Sequence, residues 1–112
     1  MNDPQTHILL ESLMKCIAAC ERCADACLEE PGSEHIDVLR LDRDCADLCT
    51  ITARFIGRGS AYAQDLLLLC TSLCKACEKE CRKHDDPLFQ ECAAACRECR
   101  LNCEAYASMA QH

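Results

Sequence analysis

Cys70-x-x-x-Cys74-x-x-Cys77-x-x-x-Cys81 occurs three times in this chain, again as Cys16, Cys20, Cys23, Cys27 and as Cys92, Cys96, Cys99, Cys103, with a shortened copy at Cys45 and Cys49. Together the four clusters use all 14 cysteines. Steps of four, three and four residues are the a/d spacing of a helix packed in a bundle, at positions where leucine normally sits. The core stripe of several helices is therefore written in thiols.

Helix signals surround each cluster. Asp3-Pro4 offers an N-cap followed by proline at the first helical position. Pro31-Gly32-Ser33 stops that helix and restarts the chain, with Ser33 as N-cap and Glu34 and Asp37 in the first turn, where the helix dipole favours acids. Gly57-Arg58-Gly59-Ser60 reads as a glycine C-cap and a new serine N-cap. Lys79, Arg82 and Lys83 suit the end of the third helix, and Asp85-Asp86-Pro87 breaks and recaps the chain. The predicted helices are about 4–30, 34–56, 61–83 and 87–109, with no stretch of strand periodicity. Helices of that length on short connections pack as an antiparallel up-down-up-down four-helix bundle, one all-α metal-binding domain over 1–112.

Alternating the helix directions gives the two ends different characters. Leu9, Leu13, Ile56, Leu67 and Tyr106 meet at one end as an apolar plug, flanked by Leu10, Ile17, Phe55, Leu66 and Leu73. The other end collects Cys27, Cys81, Cys92, Asp42, His35 and His84, and is expected to bring thiols and histidines towards solvent. His35 and His84 stand at that end, where Cys81, Cys27 and Cys92 come first, and Cys70 is deepest. His7 and His112 are incidental. Ile51, Leu68 and Leu69 fall on outer faces, either as scattered surface hydrophobes or as a self-association patch on the third helix.

Bulk properties narrow the function. Without cysteine the apolar fraction, glycine included, drops to roughly 40%, below the usual 45–50%. A conventional core is thus thin. A net charge of −7, two Tyr, two Phe and no Trp argue against nucleic acid. No run is apolar enough to span a bilayer, and the N-terminus lacks a basic, then apolar, export signal. A cytoplasmic location is expected, where thiols stay reduced and disulfide scaffolds are rare.

Four chemistries compete for the thiols. Small buried hydrophobes would account for one or two cysteines, not for 14 confined to a/d positions. Disulfides between i and i+4 are disfavoured because the Cβ vectors run parallel, about 6 Å apart along the axis. Zinc and iron–sulfur sites use Cys-x-x-Cys on loops that wrap one centre, whereas Cys20–Cys23, Cys74–Cys77 and Cys96–Cys99 lie inside helices that present both sulfurs from one side. Cu(I) is soft, is selected by thiolates, and accepts two or three sulfurs. Replacing thiol protons by Cu⁺ also avoids burying bare thiolate charge. So many ligands suit capacity rather than turnover, a store or buffer for copper and not an enzyme.

The repeated cysteine motif, with Arg43-Asp44-Cys45-Ala46-Asp47-Leu48-Cys49, Arg58-Gly59-Ser60 and Lys83-His84, resembles the bacterial copper storage proteins, a family of cysteine-rich four-helix bundles, in its cytosolic branch. The resemblance implies many Cu(I) ions per chain on all 14 cysteines, metal arriving at one open end with His35 and His84 as candidate entry ligands, and a homotetramer of bundles serving copper homeostasis. Relatives often carry further cysteines at positions matching Val38 and Leu67, and a histidine where this chain has Glu91, which implies a smaller capacity and fewer nitrogen ligands at the mouth. A thiol–disulfide redox protein, or an interaction module held by zinc or disulfides, is the alternative. Against the redox reading, no strand–helix context or Pro-flanked active-site loop accompanies the Cys-x-x-Cys pairs.

Overall fold

The computed structural model describes residues 3–29 and 35–110, with the side chain of residue 110 excepted. The Pro31-Gly32-Ser33 break, with the Ser33 cap and Glu34, lies outside the described residues. Helices α1 (Pro4–Glu29), α2 (Ile36–Gly57), α3 (Ala63–Cys81) and α4 (Pro87–Ala110) make up the fold, and there is no strand among the described residues.

Local chemistry explains where each helix begins and ends. Asp3 caps α1 by accepting from the Thr6 backbone N–H at 2.9 Å and from its hydroxyl at 3.0 Å. The Thr6 backbone bond is the main reason that the Asp3 carboxyl is held below its ordinary pKa. At the end of α2, Gly59 takes a positive φ of 64°. The Gly59 N–H donates to Ile56 O at 3.1 Å and the Ser60 N–H to Phe55 O at 2.9 Å, a Schellman closure. The left-handed glycine is thus Gly59, while Gly57 is still helical.

Helix α3 starts two residues later than the sequence predicts. Ser60 accepts from the Tyr62 N–H on its hydroxyl at 3.1 Å and from the Ala63 N–H on its carbonyl at 3.2 Å, so it organises a turn ahead of the helix rather than capping it. The same helix closes at Cys81, leaving Arg82 and Lys83 in the following turn. Asp86 caps α4, its carboxylate accepting from the Leu88 N–H at 2.9 Å, with Pro87 at the first helical position.

Each helix packs on two neighbours: α1 and α3 both lie against α2 and α4, and diagonally opposed helices meet only through inward side chains. Short connections make neighbours antiparallel, and the result is a four-helix bundle of 47 × 19 × 19 Å. Its core is one continuous column in which cysteines outnumber all other buried apolar side chains together.

Candidate metal centre

Every cysteine is unbridged and buried. The repeat places them in layers, because antiparallel helices stack one inward residue from each helix at every level of the column. From the plug end the thiols run from Cys70 and Cys103, through the Cys16, Cys49, Cys74, Cys99 level, to Cys23, Cys81 and Cys92. Sulfurs touch within and between levels. Cys45 to Cys74 and Cys49 to Cys70 are 3.6 Å apart, Cys16 to Cys96 3.8 Å, and Cys16 to Cys45 3.9 Å. These are contacts between thiols, far longer than the ~2 Å of an S–S bond.

The sulfurs form overlapping groups whose ligand atoms all lie within 4.8 Å of one another: Cys16, Cys49, Cys74, Cys99; Cys16, Cys20, Cys45, Cys96; Cys20, Cys77, Cys92, Cys96; and Cys70, Cys99, Cys103. A further group joins Cys23, Cys81 and Cys92 to a carboxylate oxygen of Asp42. Cys16, Cys20, Cys92, Cys96 and Cys99 each belong to two groups, so the groups are links of one chain of sulfur running along the axis. Cys27 stands apart from all five.

Proton affinity follows the contacts. A thiolate accepting from several neighbouring thiols is stabilised, and each donor then holds its own proton harder. Cys45 and Cys92 are pulled below the ordinary thiol range, Cys45 first through its contact with Cys16 and Cys92 first through its contact with Cys20. Cys20 and Cys96 are pushed above it by their bonds to Cys16, with burial adding to the effect. At the edge of the column burial pushes the Cys27 thiol up to about 11, helped by the Asp42 charge. The column resists holding many bare thiolates, which a cation in place of the protons would relieve.

The apolar plug is where the sequence predicts it. Leu9, Leu13, Leu67 and Ile56 are buried, Thr52 is sealed beneath them, and Tyr106 packs at the rim. The Thr6 and Tyr106 hydroxyls hydrogen-bond at 3.1 Å.

The opposite end differs from expectation. Asp42, Cys81 and Cys92 do gather there, but Cys81 and Cys92 have no exposed surface, and Cys27 has the most of any thiol at 7%. The end is covered. Val38 and Phe89, one turn beyond Asp42 and Cys92, point inward and are buried. The His35 and His84 rings pack on Phe89 at 5.0 and 4.9 Å and on each other at 4.9 Å. The four- and three-residue steps from Asp42 back to Val38 and from Cys92 back to Phe89 put both on the inward stripe, yet such spacing does not show two loop histidines folding over them. Both predicted histidines are therefore at the mouth, as parts of a lid rather than as groups projecting into solvent. Glu91 pairs with Arg22 on the outside.

Asp42 is the other feature of this end. With no exposed surface, it accepts thiol hydrogen bonds on Oδ1 from Cys77 at 3.2 Å, Cys92 at 3.3 Å and Cys81 at 4.0 Å. Burial pushes its carboxyl up to about 8, and the charge on Cys92 adds to this.

One buried group escaped the sequence reading. Glu78, one residue past Cys77, binds Arg82 at 2.9 Å and reaches across to Arg100 on α4 at 3.1 Å. Burial raises its carboxyl, but the bonds from Arg82 and Arg100 outweigh that and hold it below the usual carboxylate range. The Glu78/Arg82 spacing of four was a visible signal; the partner on α4 was not.

Comparison with known proteins bears on this column of sulfur. The sequence model of a family described as copper storage protein matches residues 2–108. An uncharacterized cysteine-rich protein of Bacillus subtilis is 37% identical over 100 residues, which cover 88% of this chain and 93% of the relative. Among solved structures, a Cu(I)-bound copper storage protein superposes with a TM-score of 0.88 at 36% identity, covering 92% of this chain and 98% of that one. A copper storage protein from Streptomyces lividans, loaded with 10 copper equivalents, gives 0.88 at 35% identity, covering 93% and 84% respectively.

Proposed function

Because the chain belongs to the copper storage protein family, we propose that all 14 core cysteines are ligands of a single store of Cu(I). The protein holds copper as cargo, many ions to a chain. Continuity of the sulfur column carries this reading: five shared thiols join the separate groups, so neighbouring ions can be bridged through common ligands. Cu(I) needs only two or three sulfurs, which each level of the column supplies from more than one helix. Exchange of protons for Cu⁺ keeps the column near neutrality. Nothing in this role requires turnover; ligand number serves capacity, and the protein acts as a store rather than an enzyme.

The same reading extends to uptake and setting. Copper passes the His35–His84–Phe89 lid, because among the described residues this end alone pairs imidazoles with a nearby thiol of residual exposure, Cys27. A homotetramer is supported by Ile51, Leu68 and Leu69, which stay 44–60% exposed. An apolar groove of about 450 Å³ beside them, between α2 and α3, also holds Leu48 and Leu73. No described helix is long and apolar enough to cross a membrane, and a cytoplasmic setting would keep the thiols in their ligand-competent, reduced form.

Anaerobic titration with Cu(I) against a competing chelator, after counting free thiols, tests the store. Tight uptake is expected to continue well past two ions per chain and to consume every thiol. Saturation at one or two ions, or thiols already oxidised in freshly prepared protein, would overturn it.

A further inference from the structure

Helix α2 turns Val38, Asp42, Cys45, Cys49 and Ile56 into the column. Its opposite stripe, at steps of three and four residues, carries Asp44, Asp47, Leu48, Ile51 and Arg54, and reaches Arg58 at the cap. Acids stand at one end of that stripe, apolar side chains in the middle and arginines at the other end. Ile51 is its midpoint. Asp44 lies seven residues before Ile51 and Arg58 seven after it, while Asp47 lies four before and Arg54 three after.

The four charged side chains are all exposed. Among the described residues none of them has an ion-pair partner within the chain. Arg58 is nevertheless held in place, its guanidinium resting 4.4 Å from the centre of the Phe55 ring. Beside the stripe runs the α2–α3 groove of about 450 Å³, lined by Leu48, Ile51, Leu69 and Leu73.

A stripe ordered acid, apolar, base repels a parallel copy of itself but fits one turned end for end. In an antiparallel pair, residues equally far from the crossing point on opposite sides face each other. Asp44 then meets Arg58 of a second copy, Asp47 meets Arg54, and Ile51 meets itself. A two-fold axis makes every such contact twice. Seven residues are about 10 Å of helix, so the matched charges span about 20 Å of α2.

We propose that a second copy of this chain docks on the outer face of α2, antiparallel about a two-fold axis at Ile51. Asp44–Arg58 and Asp47–Arg54 ion pairs between the copies flank an apolar centre seated in the groove. The proposal rests on the homotetramer reading above and supplies one interface of it, since a tetramer of dihedral symmetry is assembled from two-fold pairs. Leu68, exposed but outside the groove, is left for another. The docked copy covers the seam where Cys45 meets Cys74 and Cys49 meets Cys70 at 3.6 Å. Because the copies run in opposite directions, their Phe89 ends lie at opposite ends of the pair and neither obstructs the other.

Sedimentation velocity of the whole apo-protein under reducing conditions tests the pairing. Asp44→Arg and Arg58→Asp should each weaken association at least about tenfold, because each sets like charges face to face twice. The double variant Asp44→Arg/Arg58→Asp restores opposite charges across the axis and should regain the wild-type mass at matched concentration. Its recovery also shows that neither change damages the fold. Wild-type association in both single variants, or a double variant no better associated than its parents, would overturn the α2 contact while leaving the homotetramer reading intact. A monomeric wild type would overturn both. A wild-type dimer, broken and restored by these charges, would uphold the contact and overturn the tetramer.

Discussion

The two ends of the bundle are both closed, but by different chemistry. The plug end stacks Leu9, Leu13, Leu67 and Ile56 over Thr52 and finishes in a neutral Thr6–Tyr106 hydrogen bond. The mouth end puts a carboxylate, Asp42, among thiols, then covers it with Val38, Phe89 and two imidazoles. Close-packed hydrocarbon has nothing to exchange with an incoming cation. Imidazole and thiol do, and the three side chains of the lid meet one another through ring contacts. One end is thus closed by hydrocarbon, and the uptake route proposed above runs through the other, which would separate folding from loading along a single axis.

The largest effect should come from breaking the plug. Leu13 is fully buried, and Leu13→Ala is expected to destabilise the metal-free protein by about 2–5 kcal/mol, from lost burial and the cavity left behind. A denaturant melt of the apo-protein measures it. Copper capacity should be unchanged in whatever fraction is folded, and loading should mask the deficit, since an ion that binds only the native state stabilises it. A loss of capacity that persists in folded protein would show that the plug also shapes the column.

A smaller effect is expected where the halves are fastened differently. On the α3–α4 seam, Glu78 holds Arg82 and Arg100 in a half-enclosed ion-pair network, whereas Ser12 and Asn102 tie α1 to α4 with a neutral hydrogen bond. Glu78→Gln should cost about 1–3 kcal/mol, because Arg82 loses its charged partner and the half-buried Arg100 is left with Glu104 alone. The folded-state pKa of Glu78 lies below its ordinary 4.5, so its contribution is complete above that value. It is lost as pH falls through the folded pKa. The stability gap between wild type and Glu78→Gln should thus be constant near neutrality and shrink below about pH 4.5. A gap that widens in acid would mean the carboxylate is not held by its arginines.

Much of this polarity is legible in the sequence, and the illegible part has a physical pattern. The 4-3-4 cysteine spacing and the capped breaks dictate helices, inward thiols and alternating directions, which suffice to send Asp42 to one end and Leu13 to the other. Periodicity reports which residues face inward; it says nothing of how loop residues fold over an end. Val38 and Phe89 carry the same inward signal as Leu9 and Leu67, so the lid was invisible until His35 and His84 were seen against Phe89. The Glu78–Arg100 pair was hidden for a related reason: a contact between helices depends on rotation and offset, which the spacing within one helix does not encode. Asp42 shows the converse. Its place in the column was evident from register, but its one hydrogen-bonded and one orphan oxygen are matters of ångströms.

The mildest pair of substitutions asks whether the polarity is functional. Phe89→Leu trims the lid while keeping an apolar side chain, and should cost less than about 1.5 kcal/mol. Tyr106→Phe removes only the Thr6 bond at the plug, about 1 kcal/mol or less. Neither touches a thiol, so both variants should reach the wild-type copper endpoint. Their rates of Cu(I) uptake from a chelator, followed by stopped flow, should nevertheless diverge. Loosening the ring contacts at 4.9 and 5.0 Å raises the fraction of time the mouth stands open, so Phe89→Leu should load several-fold faster. The Tyr106→Phe bundle stays sealed by Leu9, Leu13 and Leu67, and should load at the wild-type rate. Equal acceleration in both variants would mean that copper reaches the column by general breathing of the bundle, and acceleration in Tyr106→Phe alone would reverse the direction of uptake. Because the final occupancy is the same in every case, the rate isolates the path of the metal from the affinity of its sites.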